Sequence, residues 1–280
     1  MRTRWQRWRR RILVGIALIY LVIVFVAADW LVLMPLPGHI DAGPARREVL
    51  DVDGRSLECW VCSSQALADR APQGYVLEFC GNATRAETIA QYVACRWRNY
   101  PLQIWVINYP GVGGSTGWAR MANISPAALA AYDAIARRAN GKPVFVEANS
   151  VGTVAALCVA ARRDVAGCVL HDPLPLRQFI ISHYGWWNLW LIALPVSWRV
   201  PSDLDSLQNA RQVAAPCVFI VADKDDFVLP KFHQMVIDAY PGPKKCLILR
   251  GKGHWDGVGP DVEGELQEDL HWLWDNKRKG

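Results

Sequence analysis

Apolar and polar positions divide the chain into one long unbroken apolar run and, behind it, a regular alternation of short apolar runs with amphipathic ones. The long run covers residues 12–28, 17 residues with no charge and no proline. With Asp29 at its boundary, residues 30–34 extend it to 23. A membrane-spanning helix needs about 20 apolar residues, whereas the apolar part of a cleaved signal is roughly 7–15. The length therefore favours an uncleaved transmembrane anchor at 12–34, with cleavage near Val26 and Ala28 as the alternative. Pro35-Leu36-Pro37-Gly38 ends the anchor and opens a linker over 35–44.

From residue 45 the period changes. Residues 48–53 and 57–63 flank Gly54-Arg55 and read as a hairpin. Short apolar strands follow at 75–79, 103–108, 144–147, 166–170, 216–221 and 245–249. Helical patterns lie between them. One opens at the capping-box spacing Thr84–Glu87 and runs to about 98. Another starts at Ser125-Pro126, an N-cap and N1 proline, and ends near Asn140-Gly141. Further helices are expected at 151–163, 230–240 and 260–276. Strands separated by helices of about a dozen residues imply right-handed crossovers and a mostly parallel sheet, with the hairpin adding antiparallel strands at one edge. Residues 174–214 interrupt the alternation and read as a short helical cap inserted over one end of the sheet. The expected organisation is thus a basic tail at 1–11, the anchor, the linker, and an α/β domain over 45–280.

Charge sharpens the membrane reading. The net charge of +5 is uneven: Arg2, Arg4, Arg7, Arg9, Arg10 and Arg11 all precede the apolar run, and without them the remainder carries −1. A basic nucleic-acid-binding face is not indicated. A buried core helix has no use for six arginines on one flank, but the positive-inside rule does. It places the tail in the cytoplasm and the domain on the extracytoplasmic side, as in a bacterial periplasm. Trp5, Trp8 and Trp30 stand near the two ends of the run, where interfacial aromatics are enriched. Eight cysteines show no metal-ligand spacing with a histidine, and most read as small buried hydrophobes. Cys59-Trp60-Val61-Cys62 has redox spacing, but on a strand the two residues point to opposite faces.

The chemistry lies at strand ends. Ala148-Asn149-Ser150-Val151-Gly152 joins a strand to a helix and fits a nucleophile elbow, in which small residues allow a tight turn that presents a strained serine. The helix N-terminus stabilises negative charge beside it. Asp223, Asp225 and Asp226 follow a later strand, and the register against Pro230 favours Asp225. His254 follows the last strand among glycines. A histidine is needed to take the serine proton, and a carboxylate to orient it. His171-Asp172 reads as structural or as part of a pocket wall. His39, His183, His233 and His271 have no motif context.

In this arrangement the chain resembles the α/β-hydrolase superfamily, most of all its small membrane-anchored serine hydrolases. Phe79-Cys80-Gly81-Asn82-Ala83 stands where family members carry a strand and His-Gly-Asn-Ala. Tyr109-Pro110-Gly111-Val112-Gly113-Gly114-Ser115-Thr116-Gly117 matches the family's glycine-rich pattern, and Leu204-Asp205-Ser206 with Pro216 its lead-in to the acid-bearing strand. The resemblance covers about residues 45–275. It implies the α/β-hydrolase fold, Ser150 as nucleophile, Asp225 as acid, His254 as base, and the backbone N–H groups of Asn82 and Val151 as oxyanion hole. It departs at Cys80, for the family's histidine, and at Ala148, for the elbow glycine. Residues 179–198 carry Trp186, Trp187, Trp190 and Trp198, and read either as a cap packed on the sheet or as a lid whose aromatic face touches the bilayer. Either way Trp186, Trp187 and Trp190 are expected to wall the substrate pocket over Ser150. The function expected is hydrolysis of an ester or thioester of a lipid-like acyl substrate at a membrane, with neither cofactor nor metal. Alternatives are an amidase or peptidase of the same fold, and a non-catalytic membrane binding or assembly module.

Overall fold

The computed structural model describes residues 4–278 except 37, 39, 53 and 69, and the backbone alone of Leu31. Arg2, Pro37, His39 and Asp53 lie outside the described residues. The sheet has eight strands: β1 (Arg46–Val52), β2 (Arg55–Ser63), β3 (Gly74–Phe79), β4 (Leu102–Ile107), β5 (Val144–Asn149), β6 (Gly167–His171), β7 (Cys217–Ala222) and β8 (Lys244–Leu249). Their order across the sheet is β1-β2-β4-β3-β5-β6-β7-β8. The first two pairings are antiparallel and all the others parallel. The central strands carry continuous apolar runs because helices cover both faces: every residue of β3 and of β6 is buried. Two apolar cores result, one on each face of the sheet. In the second, Trp97 is fully buried against Tyr100 and Phe145.

The helices are α1 (Arg4–Val22), α2 (Ala28–Leu33), α3 (Ala86–Arg96), α4 (Ile124–Ala139), α5 (Gly152–Ala160), α6 (Leu176–Gly185), α7 (Ala193–Trp198), α8 (Ser206–Ala210), α9 (Pro230–Ala239) and α10 (Glu263–Asp275). A π-helical turn, Ile23–Ala27, joins α1 to α2, so Arg4–Trp30 is continuous and long and apolar enough to cross a membrane. This helix is not a separate rod. No residue of α1 is buried, but Val24, Ala28 and Val32, one face at a four-residue period, belong to the first core. Asp29 is buried, accepts the Met121 N–H at 3.3 Å and pairs with Arg199 at 3.3 Å. Arg199 also donates to the Val24 carbonyl, in the turn where the α-helical bonding pattern is interrupted.

Two helix starts differ from expectation. Thr84 does not cap α3, whose N-cap is Arg85. The Ala86 N–H is instead accepted by the Asn108 side chain at 2.9 Å, and Glu87 bonds to Arg85 and, at 2.8 Å, to Asn108. A loop residue distant in sequence replaces the local cap. Likewise α4 begins one residue before Ser125, with Asn123 as N-cap. All eight cysteines are free, and six of them are buried.

Candidate active site

β5 runs straight into a tight turn that leads to α5. Ser150 has φ +51°, a left-handed conformation that costs a side-chain-bearing residue of order 1–3 kcal/mol and persists only where its surroundings enforce it. They do so here. The Ser150 N–H is bonded to the His171 carbonyl at 2.9 Å, and Thr153 closes the turn by donating to the Ser150 carbonyl at 2.6 Å. Gly152 is required by the close approach of β3: a Cβ there would lie 2.1 Å from the Phe79 oxygen and 2.7 Å from that of Cys80. Ala148, by contrast, sits on β5 between Phe79 and Leu170, where its methyl group is buried. The elbow tolerates alanine at that position and not at Gly152.

The structure brings Ser150, His254 and Asp225 together. Ser150 Oγ lies 3.0 Å from His254 Nε2, and His254 Nδ1 lies 2.6 Å from Asp225 Oδ2. All three residues are buried. Asp225 Oδ1 accepts the N–H groups of Phe227 at 2.9 Å and Val228 at 2.7 Å. Burial raises the Asp225 pKa, but hydrogen bonds from His233 and His254 outweigh it and hold the carboxyl well below the usual carboxylate range. Asp223 and Asp226 are exposed. Asp223 accepts the Gly251 N–H at 2.6 Å and so braces the loop that carries His254. Asp256 accepts the Gly253 N–H at 2.7 Å within the same loop.

Asn82 and Val151 adjoin Ser150. Val151 follows it directly, and the loop over Gly81 passes so close that a Cβ there would lie 3.6 Å from the Ser150 Cβ. The glycine-rich segment after β4 holds that loop. Gly113 has φ +55°, and a Cβ on it would lie 2.3 Å from the Asn108 amide. The buried Glu58 carboxylate accepts Gly114 N–H at 2.7 Å, Asn108 Nδ2 at 2.8 Å and Arg47 Nε at 2.6 Å. Burial raises its pKa, but these bonds lower it overall. Since Asn108 also caps α3, the glycines, Glu58 and the start of α3 form one bracket around residues 80–86. Cys80, where the family carries histidine, is buried with its thiol toward the Ile107 carbonyl at 3.6 Å.

Sequence reasoning missed a second layer beneath the triad. His233, in the second turn of α9, places Nε2 3.1 Å from Asp225 Oδ2 and Nδ1 2.9 Å from the Pro173 carbonyl. A carbonyl and a carboxylate both accept, so the geometry calls for protons on both nitrogens, an imidazolium. Burial lowers its pKa, but Asp225, Pro173 and Asp172 raise it overall. Asp172 stands below, at φ +47°, accepting the Ala222 N–H at 2.9 Å and lying 3.6 Å from His233 Nε2. Burial lifts its pKa to about 6. Asp172, Asp225 and His233 are close enough to share a cation, but the charge of His233 already occupies that role. His171 lines the cavity, with its pKa pulled down to about 3 by burial and by Arg96. The one signal in the sequence was a histidine shortly after the proline that opens α9.

The cavity at Ser150 has a volume of about 180 Å³. Tyr92, Arg96, His171, His254 and Trp255 are among its walls. Trp186, Trp187 and Trp190 are not, which corrects the expectation that they wall it. They are exposed, and Trp187 lines a separate pocket against Ile23, Ala28 and Val32 of the N-terminal helix. Of the three, Trp187 turns toward that helix, and none lines the cavity at the serine. On the other side of Gly81 and Asn82, a largely apolar cleft includes Val151, Tyr109, Val112 and Ile124 and ends against Leu33 and Met34.

No family model matches the chain. Uncharacterized protein Rv2307c of Mycobacterium tuberculosis (strain ATCC 25618 / H37Rv) is 24% identical over 227 residues, 79% of this chain and 77% of that protein. Among solved structures, the chain resembles alpha/beta hydrolase GrgF from Penicillium sp. sh18, with a TM-score of 0.64 at 18% identity over 84% of this chain and 99% of that one. It also resembles XC6422 from Xanthomonas campestris, described as an a/b serine hydrolase without lid: TM-score 0.60, 14% identity, 81% and 94% coverage. An acetyl xylan esterase from Paenibacillus sp. R4 matches at TM-score 0.61 and 16% identity, over 83% and 89% of the two chains. Strand order, crossover helices and these likenesses show that the chain has the α/β-hydrolase fold.

Proposed function

We propose that the protein is a membrane-anchored serine hydrolase that cleaves an ester or thioester of a lipid-like substrate through an acyl-enzyme intermediate. The observation that carries this reading is the hydrogen-bonded relay Ser150–His254–Asp225 on a strained strand-to-helix turn. His254 Nε2 takes the Ser150 proton as Oγ attacks the substrate carbonyl. The oxyanion rests on the N–H groups of Asn82 and Val151, where fixed donors stabilise charge that develops only in the transition state. Asp225 holds the His254 Nδ1 proton, and with it the tautomer in which Nε2 is the base. The protonated histidine then gives its proton to the leaving oxygen or sulfur. Water, deprotonated in turn by His254, releases the acyl group and restores Ser150.

Hydrolysis in general is supported by the fold and by esterases among the structural neighbours. The lipid-like substrate is supported by the small, largely apolar cleft that includes Asn82 and Val151 and extends to the end of the anchor at Leu33 and Met34. The domain reading that goes with it is a basic cytoplasmic tail, a span beginning at residue 12, and an extracytoplasmic catalytic domain. A fluorophosphonate probe tests the reading: it is expected to label the wild type and not Ser150→Ala. Absence of labelling in folded wild-type protein would overturn it.

A further inference from the structure

The helix length and the position of the cap are in conflict if the domain rests on top of the membrane. The bilayer core is about 30 Å thick. Above the arginine-rich flank, only Ile12–Ile19 stands clear of the rest of the chain. At 1.5 Å per residue those eight residues supply about 12 Å. From Tyr20 onward the helix is accompanied by protein: the Tyr20 hydroxyl donates to the Leu191 carbonyl at 2.8 Å, and Val24, Ala28 and Val32 are buried. The companion segment lies within residues 181–200. Its only exposed residues are Trp186, Trp187, Leu189, Trp190, Leu191 and Trp198, so no polar side chain there is fully open to solvent. Leu21, Val22, Phe25 and Val26 of the helix are also exposed and apolar. Arg199, the cation of the cap segment, pairs with Asp29, donates to the Val24 carbonyl and lies over the Phe25 ring.

We propose that the cap is embedded in the bilayer core beside its own anchor, with Trp186–Leu191 in contact with lipid hydrocarbon at the depth of Tyr20, close to the midplane. The remaining 18 Å or so of bilayer is then crossed by helix and cap together. Trp30 and Trp118, both exposed and lining one cleft, fall near the outer headgroup level, where indole rings are favoured. The pocket between cap and helix, lined by Ile23, Val32, Ile180 and Trp187 among others, opens toward acyl chains. The proposal rests on reading Arg4–Trp30 as a span.

Spin-label accessibility tests it on the full chain in phosphatidylcholine vesicles. Cys95 and Cys246, the two exposed cysteines, are replaced by serine. Nitroxides are then placed singly through Leu191→Cys, Ile16→Cys and Lys224→Cys, with Trp186→Cys as a second cap position. The cap labels are expected to relax with dissolved oxygen and to be shielded from a water-soluble nickel chelate, as at residue 16, while residue 224 meets the chelate freely. Chelate access at 186 and 191 with residue 16 shielded would overturn the embedded cap and leave the span standing. Chelate access at all positions would overturn both. Shielding of the cap labels from oxygen and chelate alike would mean a protein covers them, and would also overturn the proposal.

Discussion

Asp225 and Asp223 are two residues apart and do different work: in the turn after β7, Asp225 is buried against His254, whereas Asp223 is exposed and holds the Gly251 N–H. Asp225→Asn keeps the shape but offers His254 a donor or a weaker acceptor, and kcat is expected to fall on the order of 10⁴-fold. Asp223→Asn retains an oxygen for Gly251 and should change kcat by no more than a few fold; the reverse ranking in steady-state kinetics would reassign the acid. His233 adds a pH dependence. The Asp225 pKa is depressed, so its stabilising contribution is present above the unfolded value near 3.9 and is lost as pH falls toward the folded one. The His233 pKa is raised, so its contribution is complete below about 6.5 and is lost as pH rises through the folded value. His233→Phe removes a charged hydrogen bond, a loss of about 2 kcal/mol, and should abolish the alkaline decline. Melting temperatures of the two proteins from pH 5 to 9 measure this; parallel curves would show that His233 is neutral.

At the scale of elements, the central strands were legible because burial on both faces turns them into short continuous apolar runs, and predicted bounds such as 75–79 fall within a residue of β3. Helix starts were less so. The Thr84–Glu87 spacing is a genuine local signal, but Asn108 reaches the Ala86 N–H from another loop and displaces it, as tertiary contacts override propensity. The triad could be read from chain order, since each member follows its own strand. His233 and Asp172 could not, because their meeting depends on α9 folding back beneath the ends of β6 and β7. The Trp186–Trp190 cluster announced burial or contact, but sequence spacing does not say which side of a cap faces inward. The junction of β5 with α5 yields the sharpest test. Gly152→Ala forces a methyl group onto the Phe79 carbonyl, and neither strand nor helix has room to yield. A loss of about 3 kcal/mol or more is expected, at the upper end for overpacking, together with loss of activity. Ala148→Gly, at the matching position before the serine, should cost only about 1 kcal/mol. Denaturant titration of both variants checks the contrast.

For the molecule as a whole, the proposed orientation rests on the arginines before residue 12, and a reporter active only outside the cytoplasm, fused after Gly280, is expected to be active. A silent reporter on a well-expressed fusion would reverse the topology. The docking of Val24, Ala28, Asp29 and Val32 into the domain adds a constraint on how the protein can be matured and handled. A leader peptidase cutting after Ala28 would remove the core side chains of Val24 and Ala28 and the Val24 carbonyl that Arg199 bonds, so removal of the leader is expected to destabilise the domain. Shedding from the cell surface is closed for the same reason: a protease that severed the stalk between Met34 and Arg46 would release a domain with an open apolar trough between Ile180 and Val196. If the helix is the proposed span, the protein is expected to act where it is inserted and to lose stability when it is cut loose.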